Sequence, residues 1–274
     1  MKKYSTAPLP FQGQKRRFLR QIEQLAIRQP ENTLFVDLFG GSGLVSHAIK
    51  CARPDCRVIY NDFDHYADRL AMIPQTNEML ETMRRVLVGV PRKERITGSV
   101  REALVEEVRQ WDEHGAVDWL TLSSNLLFTM NYVQNFEAFS KETLYNRLRL
   151  TPYDATGYLE GVEVVSMDYK RLFYMYRHFK NAVFILDPPY LSTDCSTYQS
   201  DAYWRLSDYL DVLKCLEGTR YVYFTSSRSS FVELAAWMGH NPMKGDPFQG
   251  ATSHEIHVSG QALNYTDIML EKTD

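Results

Sequence analysis

The chain has 274 residues, 44% hydrophobic and 24% charged, with a formal net charge of −3 at pH 7. These proportions exclude a disordered or low-complexity chain, because globular domains run at about 45–50% apolar and about 25% charged. The acidity excludes a bulk polycation but leaves room for a local basic groove. At about 150 residues per domain the length fits roughly one to two domains.

No apolar run approaches the roughly 18 residues of a membrane span. The segment MKKYSTAPLPF has two lysines but no apolar stretch behind them. The expectation is a cytoplasmic protein without a signal peptide. The cysteines Cys51, Cys56, Cys195 and Cys215 form no CxxC pair, and the histidines show no metal spacing against them. Reduced thiols are expected, with no metal and no disulfide framework.

In chain order, residues 15–28 place Phe18, Ile22 and Leu25 on one face of a helix. Residues 33–39 (TLFVDLF) are short, apolar and β-prone and run into Gly40-Gly41-Ser42-Gly43. Residues 44–52 read as a helix and 57–61 (RVIYN) as a second strand ending at Asp62. Strand, glycine loop, helix and strand in this order indicate a parallel α/β sheet. From about 65 to 160 the strand signal fades. Pro74 interrupts one helical stretch, Pro91 is placed to start another at its first position, and 99–113 and 117–130 look helical. Turn-rich 151–161 closes this block, read as a helical insert over 71–159 within a domain made of 1–70 and 160–274. Strand and helix then alternate again: 162–167, 169–179, 182–186, 203–216, 220–225 and 229–238. Two β-prone runs, 254–258 and 265–270, are placed to close the sheet as a hairpin.

Three segments carry chemistry. A glycine-rich turn at the end of a first strand, Asp37-Leu38-Phe39-Gly40-Gly41-Ser42-Gly43, lets a ligand approach the backbone and a helix N-terminus. Asp62 closes the next strand 22 residues after Gly40, near the spacing of about 20 at which an acid meets a ribose, and as a strand-end acid it is expected to be exposed. This points to an adenosine-type ligand, although a tight turn beside a charged strand end has the same pattern. The second segment, Asp187-Pro188-Pro189-Tyr190, follows the apolar run AVFIL. Two prolines fix φ and remove two donors. Outward carbonyls, a carboxylate and a ring then form a receptor for a planar group carrying an amine. The third, Phe11-Gln12-Gly13-Gln14-Lys15, precedes the first helix and is weak by itself.

FxGxK, DLFGGSG, a strand-end ND and DPPY, in this order, resemble the Dam-like class of DNA N6-adenine methyltransferases over residues 8–70 and 160–270. The resemblance implies a doubly wound, Rossmann-like α/β sheet with a helical DNA-recognition insert. It further implies S-adenosylmethionine held by Phe11, Gly13, Lys15, Asp37, Phe39, Gly40 and Gly43, with Asp62 on the ribose. Asp168-Tyr169 resembles the family's acidic–aromatic pair near the cofactor adenine, and NYTDIML its closing strand. Asp187 and the Pro188 carbonyl would accept the two protons of an adenine amine beside Pro189, and Tyr190 would stack on the flipped base. The FNGLxRxN and NVPFG signatures of GATC-reading members are absent from the insert.

The expected partner is double-stranded DNA, with no membrane. Residues 84–101 hold six basic residues and one acidic. Arg92, Lys93 and Arg95 are the phosphate contacts expected from this run. Residues 168–180 hold four basic residues and one acidic, although charge runs are usually solvated faces. Two other readings stay open: transfer to an RNA amine or to cytosine N4, and a cofactor-bound DNA-binding protein without catalysis.

Overall fold

The computed structural model describes residues 2–129, 131–189, 204–240, 246–259 and 264–273. A single 3-10 turn, Arg16–Phe18, continues into α1 (Leu19–Arg28), which buries Ile22 and Leu25 beside Phe18. Strand β1 (Leu34–Asp37), helix α2 (Leu44–Ala52) and strand β2 (Arg57–Asn61) follow. Five helices then precede the next strand: α3 (Tyr66–Ala71), α4 (Ile73–Val86), α5 (Gly98–Glu113), α6 (Trp119–Leu126) and α7 (Phe136–Lys141). The chain continues through β3 (Glu163–Val165), α8 (Tyr169–Tyr176), β4 (Ala182–Leu186), α9 (Leu206–Leu216), β5 (Arg220–Ser226) and α10 (Ser230–Gly239). A hairpin of β6 (Thr252–Ser259) and β7 (Asn264–Lys272) ends it.

The described residues form a seven-stranded sheet in the order β3-β2-β1-β4-β5-β7-β6. Strands β3, β2, β1, β4 and β5 pair in parallel, and β7 pairs antiparallel with β5 and β6. This is a doubly wound, mostly parallel α/β sheet, and its order reverses between β1 and β4. Ligands in such sheets bind beyond the carboxyl ends of the strands at that point.

Period-2 alternation assigns the apolar side chains to two layers. Phe35, Val183, Ile185, Val222 and Phe224 join α1, α2 and the helices after β2 in one cluster. Leu34, Val36, Phe184, Leu186, Tyr221 and Tyr223 join α8 and α9 in the other. Covering both faces explains why β1 and β4 read as continuous apolar runs. The 71–159 helices share the first cluster, which runs from Phe18 and Ile49 through Met79 to Leu122 and Phe139. Among the described residues no helix is long and apolar enough to cross a membrane.

Three expectations within that stretch need correction. Pro74 starts α4 rather than interrupting it, because a first-turn proline gives up a donor the helix leaves unpaired. Helix α6 stops at Leu126, since Leu127 is extended. Pro91 starts no helix. Instead Lys93 N donates to Asn146 O (2.7 Å), Asn146 N to Glu94 O (2.9 Å) and Ile96 N to Leu144 O (2.8 Å). Pairing with a distant segment satisfies these backbone groups and buries Ile96 and Leu144.

The amino-terminal segment is docked by polar contacts on its own backbone. Tyr66 Oη accepts from Leu9 N (2.9 Å) and donates to Leu9 O (3.1 Å). Arg69 Nη2 donates to Pro10 O (3.0 Å), while Arg69 Nε reaches both oxygens of buried Asp118 at 3.1 Å. Helix α3 therefore fixes where Phe11 to Lys15 enter the sheet edge. Tyr66→Phe leaves the Leu9 N–H and C=O unpaired in a buried place. It should cost about 1–3 kcal/mol in urea unfolding and expose residues 1–15 to proteolysis before the rest of the chain.

Candidate active site

Asp37 ends β1 at the switch point, and the chain turns through Gly40, Gly41 and Gly43 into α2. A Cβ on Gly40 would lie 2.1 Å from the Tyr60 ring, so only glycine fits over that ring. Gly41 and Gly43 take φ of +49° and +72°, a region that side chains other than glycine's rarely adopt. The Phe11 ring packs on this turn, 3.0 Å from where a Cβ of Gly41 would stand, and edge-on to Tyr66 at 5.7 Å.

Behind Phe11, Gly13 has φ +81° and its carbonyl accepts from Lys15 Nζ at 2.8 Å. Lys15 Nζ also pairs with Asp187 Oδ2 and lies over the Phe224 ring at 5.6 Å. Asp187, buried Pro188 and half-buried Pro189 leave the end of β4 beside this lysine. Tyr190 lies outside the described residues. The structure thus joins the first and last of the motif segments through one ion pair.

The carboxylates around the pair are perturbed. Burial pushes the Asp187 carboxyl above the usual range, the Lys15 ammonium opposes this, and nearby Asp267 adds to it. Asp37 is 1% exposed. Its Oδ2 accepts from Ser46 Oγ (2.7 Å), and its Oδ1 has no hydrogen-bond partner among the described residues. Burial pushes its carboxyl up to about 7, against the Ser46 hydrogen bond and with the neighbouring Asp187 charge.

At the end of β2, Asp62 corrects the expectation of an exposed strand-end acid, for it is buried. Its Oδ1 accepts from Tyr60 Oη (2.8 Å) and Tyr66 N (2.7 Å), and its Oδ2 from Ala67 N (2.8 Å). The carboxylate serves the otherwise unpaired first amides of α3, which a strand-end pattern does not reveal. Asp168 is exposed and caps α8 by accepting from Lys170 N (2.9 Å) and Arg171 N (3.2 Å). Next to it the Tyr169 ring meets Phe39 at 4.8 Å and stacks on Trp204 at 5.6 Å. Phe39, Tyr169 and Trp204 thus make an aromatic wall on one side of the glycine turn. Trp204 carries no motif signal. Ser226 ends β5 and Ser227 opens the turn after it against β7, where Thr266 N donates to Ser227 Oγ (2.9 Å) and Ser227 N to Thr266 O (2.9 Å).

In the segment 84–101, Lys93 and Arg95 are exposed, and no ion pair or side-chain hydrogen bond holds either among the described residues. Arg92 is exposed too, but its Nη1 donates to the Leu148 carbonyl. Arg84 and Arg101 likewise spend donors on the carbonyls of Arg149 and Ser140. Part of the basic run therefore braces its own loops.

A protein of Haemophilus influenzae named "Putative methyltransferase" is 36% identical to this chain over 243 residues, covering 86% of this chain and 81% of that protein. The chain belongs to this methyltransferase family. No protein-family model matches it. A solved rRNA methylase of Streptococcus thermophilus aligns over 93% of this chain and 97% of its own at 11% identity, with a TM-score of 0.37. That likeness is too weak to bear on fold or substrate.

In this methyltransferase the buried carboxyls make stability depend on pH. Asp37 holds its proton more tightly folded than unfolded, so its contribution to stability is complete below about pH 4 and is lost as pH rises to about 7. Asp187 acts with the same sign. Asp37→Asn removes the Asp37 part. Its urea midpoint should match wild type near pH 4 and exceed it near pH 8 by an amount worth on the order of a few kcal/mol.

Proposed function

We propose that this methyltransferase transfers the methyl group of S-adenosylmethionine to N6 of adenine in double-stranded DNA. The observation that carries the reading is the convergence of the glycine turn, Lys15 and Asp187-Pro188-Pro189 at one sheet edge. When bound, the cofactor supplies a methyl group on a positively charged sulfur. The residues present fit it. Among the described residues the buried Asp37 Oδ1 has no hydrogen-bond partner, Phe39, Tyr169 and Trp204 offer ring faces beside the glycine turn, and Asp37, Asp62, Asp168 and Asp187 outnumber Lys15. On this reading Phe11, Gly13, Lys15, Asp37, Gly40 and Gly43 hold the cofactor. Asp62 Oδ2, with one hydrogen bond among the described residues, takes a ribose hydroxyl, and Phe39, Asp168 and Tyr169 flank its adenine.

The chain's own chemistry is positioning. An adenine amine is a weak nucleophile because its lone pair is conjugated with the ring. The Asp187 carboxylate and the Pro188 carbonyl accept its two N–H groups and favour a pyramidal nitrogen. The Lys15 ammonium opposes the upward push of burial on Asp187 and so favours the charged form that accepts. Tyr190 keeps the stacking role implied by the motif. Because the reacting atoms are held in line, orientation and fixed electrostatics supply the rate. A residue paired to the cofactor segment couples both sites, so substitution of Asp187 is expected to move cofactor affinity as well.

Duplex DNA as the partner is supported by the ribbon after α4. Its side chains Ile96, Leu144, Asn146 and Leu148 are buried, while Lys93, in a turn, and Arg95, bridged to half-buried Tyr145, are exposed. Phe128, 68% exposed, lies 6.3 Å from the Tyr145 ring. Bases and phosphates meet such a mixture of ring and cation favourably.

The test is single-turnover transfer from labelled S-adenosylmethionine to duplex DNA, single-stranded DNA and RNA. Duplex DNA should be methylated at adenine, and Asp187→Ala should lose about 10²–10³ in rate, as for one lost transition-state hydrogen bond. Methylation confined to RNA or to cytosine would replace the substrate. A wild-type rate in Asp187→Ala would remove the catalytic assignment. Separately, replacing both Lys93 and Arg95 by Gln should weaken duplex binding uniformly across sequences and lower the salt slope by about 1–2.

A further inference from the structure

Asn61, the last residue of β2, is 1% exposed and uses its whole amide on backbone groups of two other strand ends. Its Nδ2 donates to Leu38 O (3.0 Å) and Met167 O (2.9 Å), and its Oδ1 accepts from Met167 N (3.0 Å). Leu38 directly precedes Phe39 and the glycine turn, Met167 precedes Asp168-Tyr169, and Asn61 itself precedes Asp62. One side chain therefore ties together the starts of the three loops that form the proposed cofactor floor.

We infer that Asn61 is a positioning residue for the cofactor, a clamp that sets the spacing of the three loops without touching the ligand. The inference rests on the reading of this edge as an S-adenosylmethionine site. Strand pairing cannot do this job. The ladders end at Asp37↔Tyr60 and Asn61↔Val165, and the backbone bonds just beyond them, Leu38 N to Ile185 O (3.0 Å) and Asp62 N to Val165 O (2.7 Å), do not join the Leu38 loop to the Met167 loop. A primary amide supplies what the gap needs, two donors and an acceptor on one planar group. Aspartate has the same shape but donates nothing. It would set a carboxylate against the carbonyls of Leu38 and Met167, which share one donor group in the native protein.

Three measurements on the full chain test the clamp. Calorimetry of S-adenosylmethionine binding should show a dissociation constant raised about tenfold to a hundredfold in Asn61→Asp, the equivalent of one or two buried groups left unpaired. Steady-state methyl transfer should show a raised cofactor KM, with kcat at saturating cofactor and the KM for DNA within about threefold of wild type. A purely structural role would lower the folded fraction and leave both KM values alone. Asn61→Ala, which vacates the space without adding charge, should show the same split. Should neither variant fold, hydrogen exchange of the wild-type Met167 amide decides: it should be protected like a strand amide, and exchange at the rate of an open loop overturns the clamp. Unchanged affinity in Asn61→Asp beside a binding wild type would also overturn the clamp while leaving the proposed cofactor in place. Wild-type protein that does not bind S-adenosylmethionine would overturn the reading of the site and the role of Asn61 with it.

Discussion

The ion pair between Lys15 and Asp187 is the constraint around which the sheet edge is arranged. It joins a loop before the first helix to the end of the central strand β4, across 172 positions of sequence. It also brings a cation beside Asp37 and Asp187, whose carboxyls burial pushes above the usual range, while Arg17 Nη1 pairs with the neighbouring Asp267 at 3.1 Å. A buried charge is tolerated only when paired. Among the described residues the second carboxylate oxygen at this edge, Asp37 Oδ1, has no hydrogen-bond partner.

Placing one lysine amine that accurately requires the segment carrying it to be held along its length. The holding is done by side chains that bond the segment's backbone: Tyr66 on Leu9, Arg69 on Pro10, Gln14 on Ala7 and His47 on Tyr4. Burial keeps His47 neutral, so its Nε2 accepts from Tyr4 N at 3.2 Å. Arg69 also grips Asp118 at the start of α6. The helices inserted after β2 are thus mechanically part of this sheet edge, which agrees with the hydrophobic cluster they share with α1 and α2. A change in the insert can reach the site through Asp118 and Arg69 without contacting substrate.

Much of this was legible in the chain because it is local. The strands over Arg57–Asn61 and Ala182–Leu186 and the helix over Leu44–Ala52 are bounded by glycine, proline and charge, which act on their immediate neighbours. Places where the reading went astray are those where a distant partner decides. Pro91 reads as a helix start, yet the backbone of 144–146 claims Lys93 to Ile96. Asp62 reads as an exposed strand end, yet α3 turns back over it and takes its oxygens. Arg92 reads as a phosphate contact, yet the Leu148 carbonyl occupies part of it.

The sequence by itself determined the order of strands and helices outside residues 65–160, the continuous apolar character of β1 and β4, and the turns that must be glycine or proline. Those follow from side-chain period and backbone sterics, which need only near neighbours. Only the tertiary structure decided that Lys15 answers Asp187, that Asp37 keeps a bare oxygen in the interior, and that Asn61 spans three strand ends. Charge pairing and hydrogen bonding are set by distance in space, and an aspartate or asparagine reads the same in sequence whether water or another strand meets it.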